Sequence, residues 1–190
     1  MKPFILASGS PRRRELLALM HIPFDVCPAD VDETMDPEKP PFEEVARVSR
    51  CKAEAVPREP GQTVIAADTI VVCQGRVLGK PHSPEEARQM LRMLSGRDHQ
   101  VMTGCTVLAP GGCETFTEVT DLHFRPLTEK EIDAYADSGE PMDKAGGYGI
   151  QGGAALFCRG MTGDYYNVMG LPVCRLYETL VKLGAMEDTV

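Results

Sequence analysis

The stretch Thr63-Val64-Ile65-Ala66-Ala67-Asp68-Thr69-Ile70-Val71-Val72-Cys73 constrains this chain more than any other. A near-continuous apolar, β-branched run predicts a central strand of a sheet. Asp68 interrupts it, and an ionised carboxylate inside a buried strand needs a cation, a metal or hydrogen bonds. The plainer alternative is a strand-end aspartate that faces solvent. Gln74-Gly75 turns the run back into a short return strand, Arg76-Val77-Leu78, and Gly79-Lys80-Pro81 follows.

The other elements read outward from this strand. Phe4-Ile5-Leu6-Ala7 is a short buried strand, Ser8-Gly9-Ser10 is a turn, and Pro11 suits the first position of a helix over 11–20. A second strand is expected over 24–27 and a helix over 42–56. Ser83-Pro84-Glu85-Glu86 reads as a capping box, and Ala87, Met90, Leu91 and Leu94 then form one apolar stripe up to Gly96. Strands over 101–109 and 114–124 pair around Pro110-Gly111-Gly112. Thr128 and Glu131 form another capping box, for a helix ending near Gly139. Residues 154–158 read as a strand, and Pro172 starts the last helix, which carries Val173, Leu176, Tyr177 and Leu180. Strands and helices intermingle, so the class is α/β or α+β with a mixed sheet. With 190 residues, 43% of them apolar, the chain is long enough for one domain over 1–190 with a real core.

Charge narrows the function. The 20 lysines and arginines against 28 aspartates and glutamates leave a net charge of −8. That argues against coating nucleic acid or an anionic membrane. It leaves room for a small anionic ligand held by a few local cations. No apolar run approaches the roughly 18 residues of a membrane span, and 4–7 is too short for a signal-peptide core. The 7 cysteines are odd in number and form no CxxC pair. They are expected to be buried, reduced thiols of a cytoplasmic protein. His21, His82, His99 and His123 are scattered, without zinc-ligand spacing.

Four segments carry chemistry. Ser8-Gly9-Ser10-Pro11-Arg12-Arg13 lies between a buried strand and a helix start, where free backbone N–H groups and the helix dipole favour an anion. Two hydroxyls and two guanidiniums there make a cradle suited to a polyphosphate; a simple Ser10 cap with solvated arginines is the bland alternative. Lys52 follows Val45 and Val48 and precedes Val56 at helical spacing, a lysine within an apolar stripe. It either meets an anionic partner or snorkels at the stripe's edge. Asp68 is the third signal, with Lys80 shortly after it. Asp32-Glu33 adds carboxylates that, taken alone, read as surface acids. The fourth is the glycine-rich run Lys144-Ala145-Gly146-Gly147-Tyr148-Gly149-Ile150-Gln151-Gly152-Gly153, where a backbone must approach something closely or the loop is flexible.

Together these segments resemble the Maf family of nucleoside triphosphate pyrophosphatases, also called septum-formation-inhibitor-like proteins. The resemblance runs in order through Leu6 to Arg13, Ala66-Ala67-Asp68-Thr69, Gly79-Lys80-Pro81, Ser95-Gly96 to Thr103-Gly104, Ser138-Gly139-Glu140-Pro141, 144–152 and Asn167 to Pro172. It implies a mixed α/β fold similar to the inosine-triphosphate pyrophosphatases, with two lobes and a central cleft. The implied reaction takes a nucleoside triphosphate and water to the monophosphate and pyrophosphate with Mg²⁺ or Mn²⁺. Asp68 is then the proton acceptor that activates water and, with Glu33, a metal partner. Ser8, Ser10, Arg12, Arg13, Lys52 and Lys80 are the phosphate grip. Arg12, Thr69 and Gln151 resemble the specificity positions of the branch acting on dTTP, UTP and modified pyrimidine nucleotides. A homodimer is also implied, with no nucleic-acid or membrane partner. The family's second name leaves a non-catalytic, nucleotide-sensing regulator of division as the alternative.

Overall fold

Thr63–Cys73 forms the strand β3, with every residue but Thr69 buried. The computed structural model describes residues 3–188. β1 (Phe4–Leu6) runs parallel to β3, and β2 (Phe24–Val26) runs parallel to β1. β4 (Arg76–Leu78) returns antiparallel onto β3. Its turn places Gln74 and Gly75 at φ 51° and 75°, the left-handed pair that matches hairpin twist. β5 (Asp98–Ala109), β6 (Gly112–Phe124) and β7 (Cys158–Thr162) complete a seven-stranded mixed sheet in the order β2-β1-β3-β5-β6-β7, with β4 beside β3. The helices are α1 (Pro11–Ala18), α2 (Pro41–Ala55), α3 (Pro84–Leu94), α4 (Glu129–Asp137), α5 (Tyr165–Met169) and α6 (Val173–Lys182). The expected mixed α/β class is the one found.

Local signals account for most element ends. Ser10 caps α1 and Ser83 caps α3, each accepting from the backbone N–H three residues on. Thr128 and Glu131 form the full capping box of α4. Ser83 and Glu86 do not: the Glu86 carboxylate accepts from the His82 N–H at 2.7 Å, one residue before the cap. Two further expectations are corrected. Residues 154–158 are not a strand; Gly153–Leu156 is a short 3₁₀ turn and β7 begins only at Cys158. Five apolar residues carry no period that separates a turn from a strand. The thiols are all free, but only Cys73 and Cys105 are buried, while Cys113 and Cys174 are exposed. No helix among the described residues is long and apolar enough to cross a membrane.

The chain separates into two compact units. The first comprises residues up to Asp68, Thr103–Glu118 and residues from Gly170 onward. Its core joins Ile5, Ala7, Val64 and Ala66 to Ala53 and Val56 of α2 and its C-cap. α2 rests directly on β5, because a Cβ at Gly104 would overlap the Val45 carbonyl. A hydroxyl ladder, Ser49–Thr106 at 2.8 Å and Thr106–Thr115 at 3.0 Å, satisfies the polar groups along this seam.

The second unit comprises Thr69–Met102 and Val119–Met169. Its core packs Leu91 and Leu94 of α3 and Ile132 of α4 against Val71, Val101, Leu122 and Phe124 of the sheet. His99 is buried there, edge-on to Phe124 at 4.7 Å, with Nε2 at 2.7 Å from the Tyr148 hydroxyl. Burial pushes its pKa down from 6.5 to about 4, so the native ring is neutral. The unfolded chain therefore binds an extra proton between these pH values, and stability falls as the pH drops through that window. The loss is about 3 kcal/mol in full, or on the order of 10 °C in melting temperature for a chain of this size. Melting wild type and His99→Phe between pH 7 and 4.5 checks this. The variant's curve should be flatter, and parallel curves would clear His99.

Candidate active site

β1 delivers the chain to Ser8, which is buried, and α1 starts three residues later. The Ser8 hydroxyl accepts from the Ser10 N–H at 3.2 Å and from Arg13 Nη1 at 3.3 Å. With both lone pairs engaged, what Ser8 has left to give is its O–H donor. Ser10 accepts from the Arg13 N–H. Arg13 is fixed further by Nε donating to the Gly170 carbonyl at 2.8 Å. Burial lowers the Arg13 pKa from its ordinary value, and the neighbouring Asp68 and Glu33 carboxylates oppose that shift. Arg12 stands half-buried beside it in the same first turn. The segment thus sets hydroxyls, guanidiniums and a helix N-terminus together, an arrangement that attracts anions.

The buried cation of the stripe on α2 meets the interrupting carboxylate of β3. Val64, Ala66 and Asp68 alternate onto one face of the strand, and Val64 and Ala66 pack with Ala53 of α2. Asp68, two residues on, therefore meets Lys52 instead of solvent. Lys52 Nζ lies 2.7 Å from Asp68 Oδ1 and 2.9 Å from Glu33 Oε1. The Lys52 and Asp68 side chains are 9% and 11% exposed, so the pair is a buried one, whereas Glu33 is 55% exposed. Removing one member of such a pair strands the other charge in a poor solvent. Lys52 thus holds two carboxylates in the first place; its third N–H remains for a further oxygen.

Sequence reading singled out Glu33 but not what holds it. Glu44 of α2 is buried, and its carboxylate accepts from Arg47 at 2.9 Å and from the Asp36 N–H at 2.9 Å. The Arg47 contact first, and the Asp36 N–H second, hold the Glu44 pKa down at about 2. Arg47 also donates to the Thr34 carbonyl at 2.8 Å. The loop carrying Glu33 is therefore tied at 34 and 36 to the helix that carries Lys52. The available signal was the position of Glu44, two helical steps of four before Lys52 on the same buried stripe.

Glu33 and Asp68 converge on one point of positive charge. The cation they share is the Lys52 ammonium; as hard oxygen donors, the two carboxylates are also the residues here that would hold a Mg²⁺ or Mn²⁺ ion. Among the described residues no three His, Cys, Asp or Glu side chains group to hold a metal by themselves.

Thr69, Lys80 and Gln151 belong to the second unit. Thr69 is half-buried on β3, and Lys80 is exposed after β4. The Gly79 carbonyl accepts from the Gly146 N–H at 2.9 Å, which ties the Lys80 segment to the glycine-rich run. Gly146 has φ 71°, and a Cβ there would press on Val71 Cγ2 at 2.8 Å, the close approach those glycines were expected to serve. Gln151 is exposed at the tip of a turn closed by the Gly152 N–H and the Gly149 carbonyl at 3.1 Å.

The Maf-like protein family model matches residues 3–183. A protein named dTTP/UTP pyrophosphatase from Halalkalibacterium halodurans is 53% identical over 181 residues, covering 95% of each chain. One of the same name from Moorella thermoacetica is 50% identical over 189 residues, covering 97% of this chain and 96% of that one. Among solved structures, a HAM1 protein from Coxiella burnetii matches 96% of this chain and 100% of its own, with a TM-score of 0.50 and 15% identity. That likeness concerns the fold alone.

Proposed function

The chain belongs to the Maf-like protein family, and from that premise we propose that it is a dTTP/UTP pyrophosphatase, which hydrolyses a pyrimidine nucleoside triphosphate to the monophosphate and pyrophosphate. The observation that carries the reading is the Lys52–Asp68 pair, buried beside Glu33 and electrostatically coupled to Arg13.

In this reading residues 8–13 and Lys80 hold the β- and γ-phosphates, with Ser8 and Ser10 donating hydroxyl protons and Arg12 and Arg13 neutralising oxygens. Water attacks the α-phosphorus, and Asp68 takes its proton. The α-phosphorus–oxygen bond to the β-phosphate breaks, and pyrophosphate leaves with that oxygen. Lys52 pairs with Asp68 and Glu33 and orients them. Mg²⁺ or Mn²⁺, held by Glu33 and Asp68 with the substrate, would supply further charge neutralisation on the phosphates. Positioning and charge compensation are what phosphoryl chemistry chiefly requires. The proposal extends to a cytoplasmic homodimer, supported by free thiols suited to a reducing compartment and by the family resemblance.

Gln151 reads the base. Uracil and thymine present an N3–H beside a carbonyl, and a side-chain amide pairs with both at once. Cytosine presents an acceptor at N3 beside a donor at N4, so it pairs only with the amide turned over, and the preference for uracil and thymine depends on the amide being held in one orientation. Thr69 and Arg12 shape the rest of the pocket. A panel of canonical and modified triphosphates with Mg²⁺ or Mn²⁺, scoring pyrophosphate against orthophosphate, tests the whole reading. dTTP and UTP should lead dCTP and CTP, with purines last and pyrophosphate the first product. Gln151→Glu should reduce dTTP turnover more than the residual rate on other bases. Orthophosphate and a diphosphate as first products would overturn the bond assignment, and equal rates on dTTP and dCTP would overturn the role of Gln151.

A further inference from the structure

We propose that Tyr135 and Glu140 are positioning residues that clamp both ends of the 149–153 turn and so aim Gln151 at the base. The inference rests on the reading of Gln151 given above. Tyr135 is buried on α4, edge-on to Phe157 at 5.2 Å. Its hydroxyl donates to Glu140 Oε1 at 2.8 Å, and the hydroxyl oxygen accepts from the Gly149 N–H at 3.0 Å. An ionised carboxylate only accepts, so the tyrosine proton goes to Glu140 and a phenolic lone pair is turned to Gly149. The other carboxylate oxygen, Oε2, accepts from the Gly153 N–H at 3.1 Å. One tyrosine–glutamate pair therefore grips the first and last residues of the turn, two positions on either side of Gln151.

The glycines of this run follow from the clamp. A Cβ at Gly152 would overlap the Glu140 carboxylate, and one at Gly149 would lie 2.6 Å from Lys144 Cε. Lys144 is itself fixed, donating from Nζ to the Glu140 carbonyl and to Asp143, both at 2.6 Å. Inside the turn, Ile150 packs on the apolar core of the second unit, while Gln151 is exposed. With both ends tied and Ile150 turned inward, the backbone at 151 has one presentation. An amide that must pair with two base atoms at once needs that, because a free turn would let it swing away.

The test compares Tyr135→Phe, Glu140→Gln and Glu140→Ala with Gln151→Ala, and adds the double variant Tyr135→Phe/Gln151→Ala. The readouts are kcat/KM for dTTP and for dCTP, with thermal melting to monitor folding. Tyr135→Phe should lower kcat/KM for dTTP about tenfold, chiefly through KM, and leave the dCTP value within about twofold, so that the selectivity ratio shrinks. Glu140→Gln, which keeps one acceptor for Gly153, should be milder than Glu140→Ala. The double variant should show the selectivity of Gln151→Ala and no further loss, because the clamp acts through that side chain. Equal losses on both substrates, or additive losses in the double variant, would assign Tyr135 and Glu140 a purely structural role and overturn the proposal. If Tyr135→Phe does not fold, the two Glu140 variants decide by the same ratio. A ratio altered by Gln151→Ala but untouched by the clamp variants sinks the clamp alone. A ratio unmoved by Gln151→Ala sinks the base-reading role and the clamp with it.

Discussion

Asp68→Asn is expected to lower dTTP turnover at least about a hundredfold, the low end for loss of a positioned base, while nucleotide affinity holds or tightens. The amide keeps the size of the side chain but neither its charge nor its basicity, and removing a negative charge near phosphates favours their binding. The fold should survive, because Glu33 still lies 2.9 Å from Lys52 Nζ and keeps the ammonium paired. Lys52→Met separates two contributions. It leaves Asp68 and Glu33 facing each other without the cation between them, so turnover, affinity and thermal stability should all fall. Single-turnover rates and equilibrium binding of dTTP, measured on both variants beside thermal melts, make the comparison. Asp68→Asn activity within tenfold of wild type would place the base elsewhere.

Gly104→Ala is expected to be the most damaging single methyl group in the first unit. The added carbon would overlap the Val45 carbonyl and crowd the Ala46 nitrogen at 2.7 Å, so the conflict is with backbone and no rotamer relieves it. Overpacking of this kind costs about 3 kcal/mol or more. In a chain of this size that is a fall of on the order of 10 °C in melting temperature. Relief requires α2 to lift from β5, and α2 carries Lys52. The variant should therefore lose activity even at temperatures where it remains folded, as the Lys52–Asp68 contact lengthens. Gly61 offers the contrast: nothing lies within 4 Å of a Cβ there. Gly61→Asn, which tolerates the φ of 92° better than other side chains, should leave activity unchanged. A Gly104→Ala melt within about 2 °C of wild type would show that α2 yields without strain.

Much of this molecule was readable from short range. β3, its hairpin at Gln74-Gly75 and the caps at Ser10, Ser83 and Thr128 follow from alternation, left-handed backbone and side-chain oxygens, which act within about four residues. The same locality marked Asp68 and Lys52 as anomalies, each a charge in an apolar pattern. It did not say that they were partners, since sixteen positions separate them. That outcome depends on α2 crossing β5 at Gly104, which sets which residue of the helix stands opposite Asp68. Glu33 joins them only because Glu44 and Arg47 tie its loop at 34 and 36 to the same helix. The glycine-rich run posed the question that locality could not answer, namely what the backbone approaches. Val71, Lys144 and Glu140 are the answers, two of them supplied by the segment just before the run and at its start. Residues 154–158 went wrong for the complementary reason: a short apolar run carries no period of its own, and here only Ala154 and Phe157 enter the second unit's core while Ala155 and Leu156 stay exposed. Composition and local pattern determined most of the elements and the anomalous charges, and the resemblance of the motifs pointed to the family; tertiary packing decided which charges meet, because a contact between distant residues is set by the registers of whole elements.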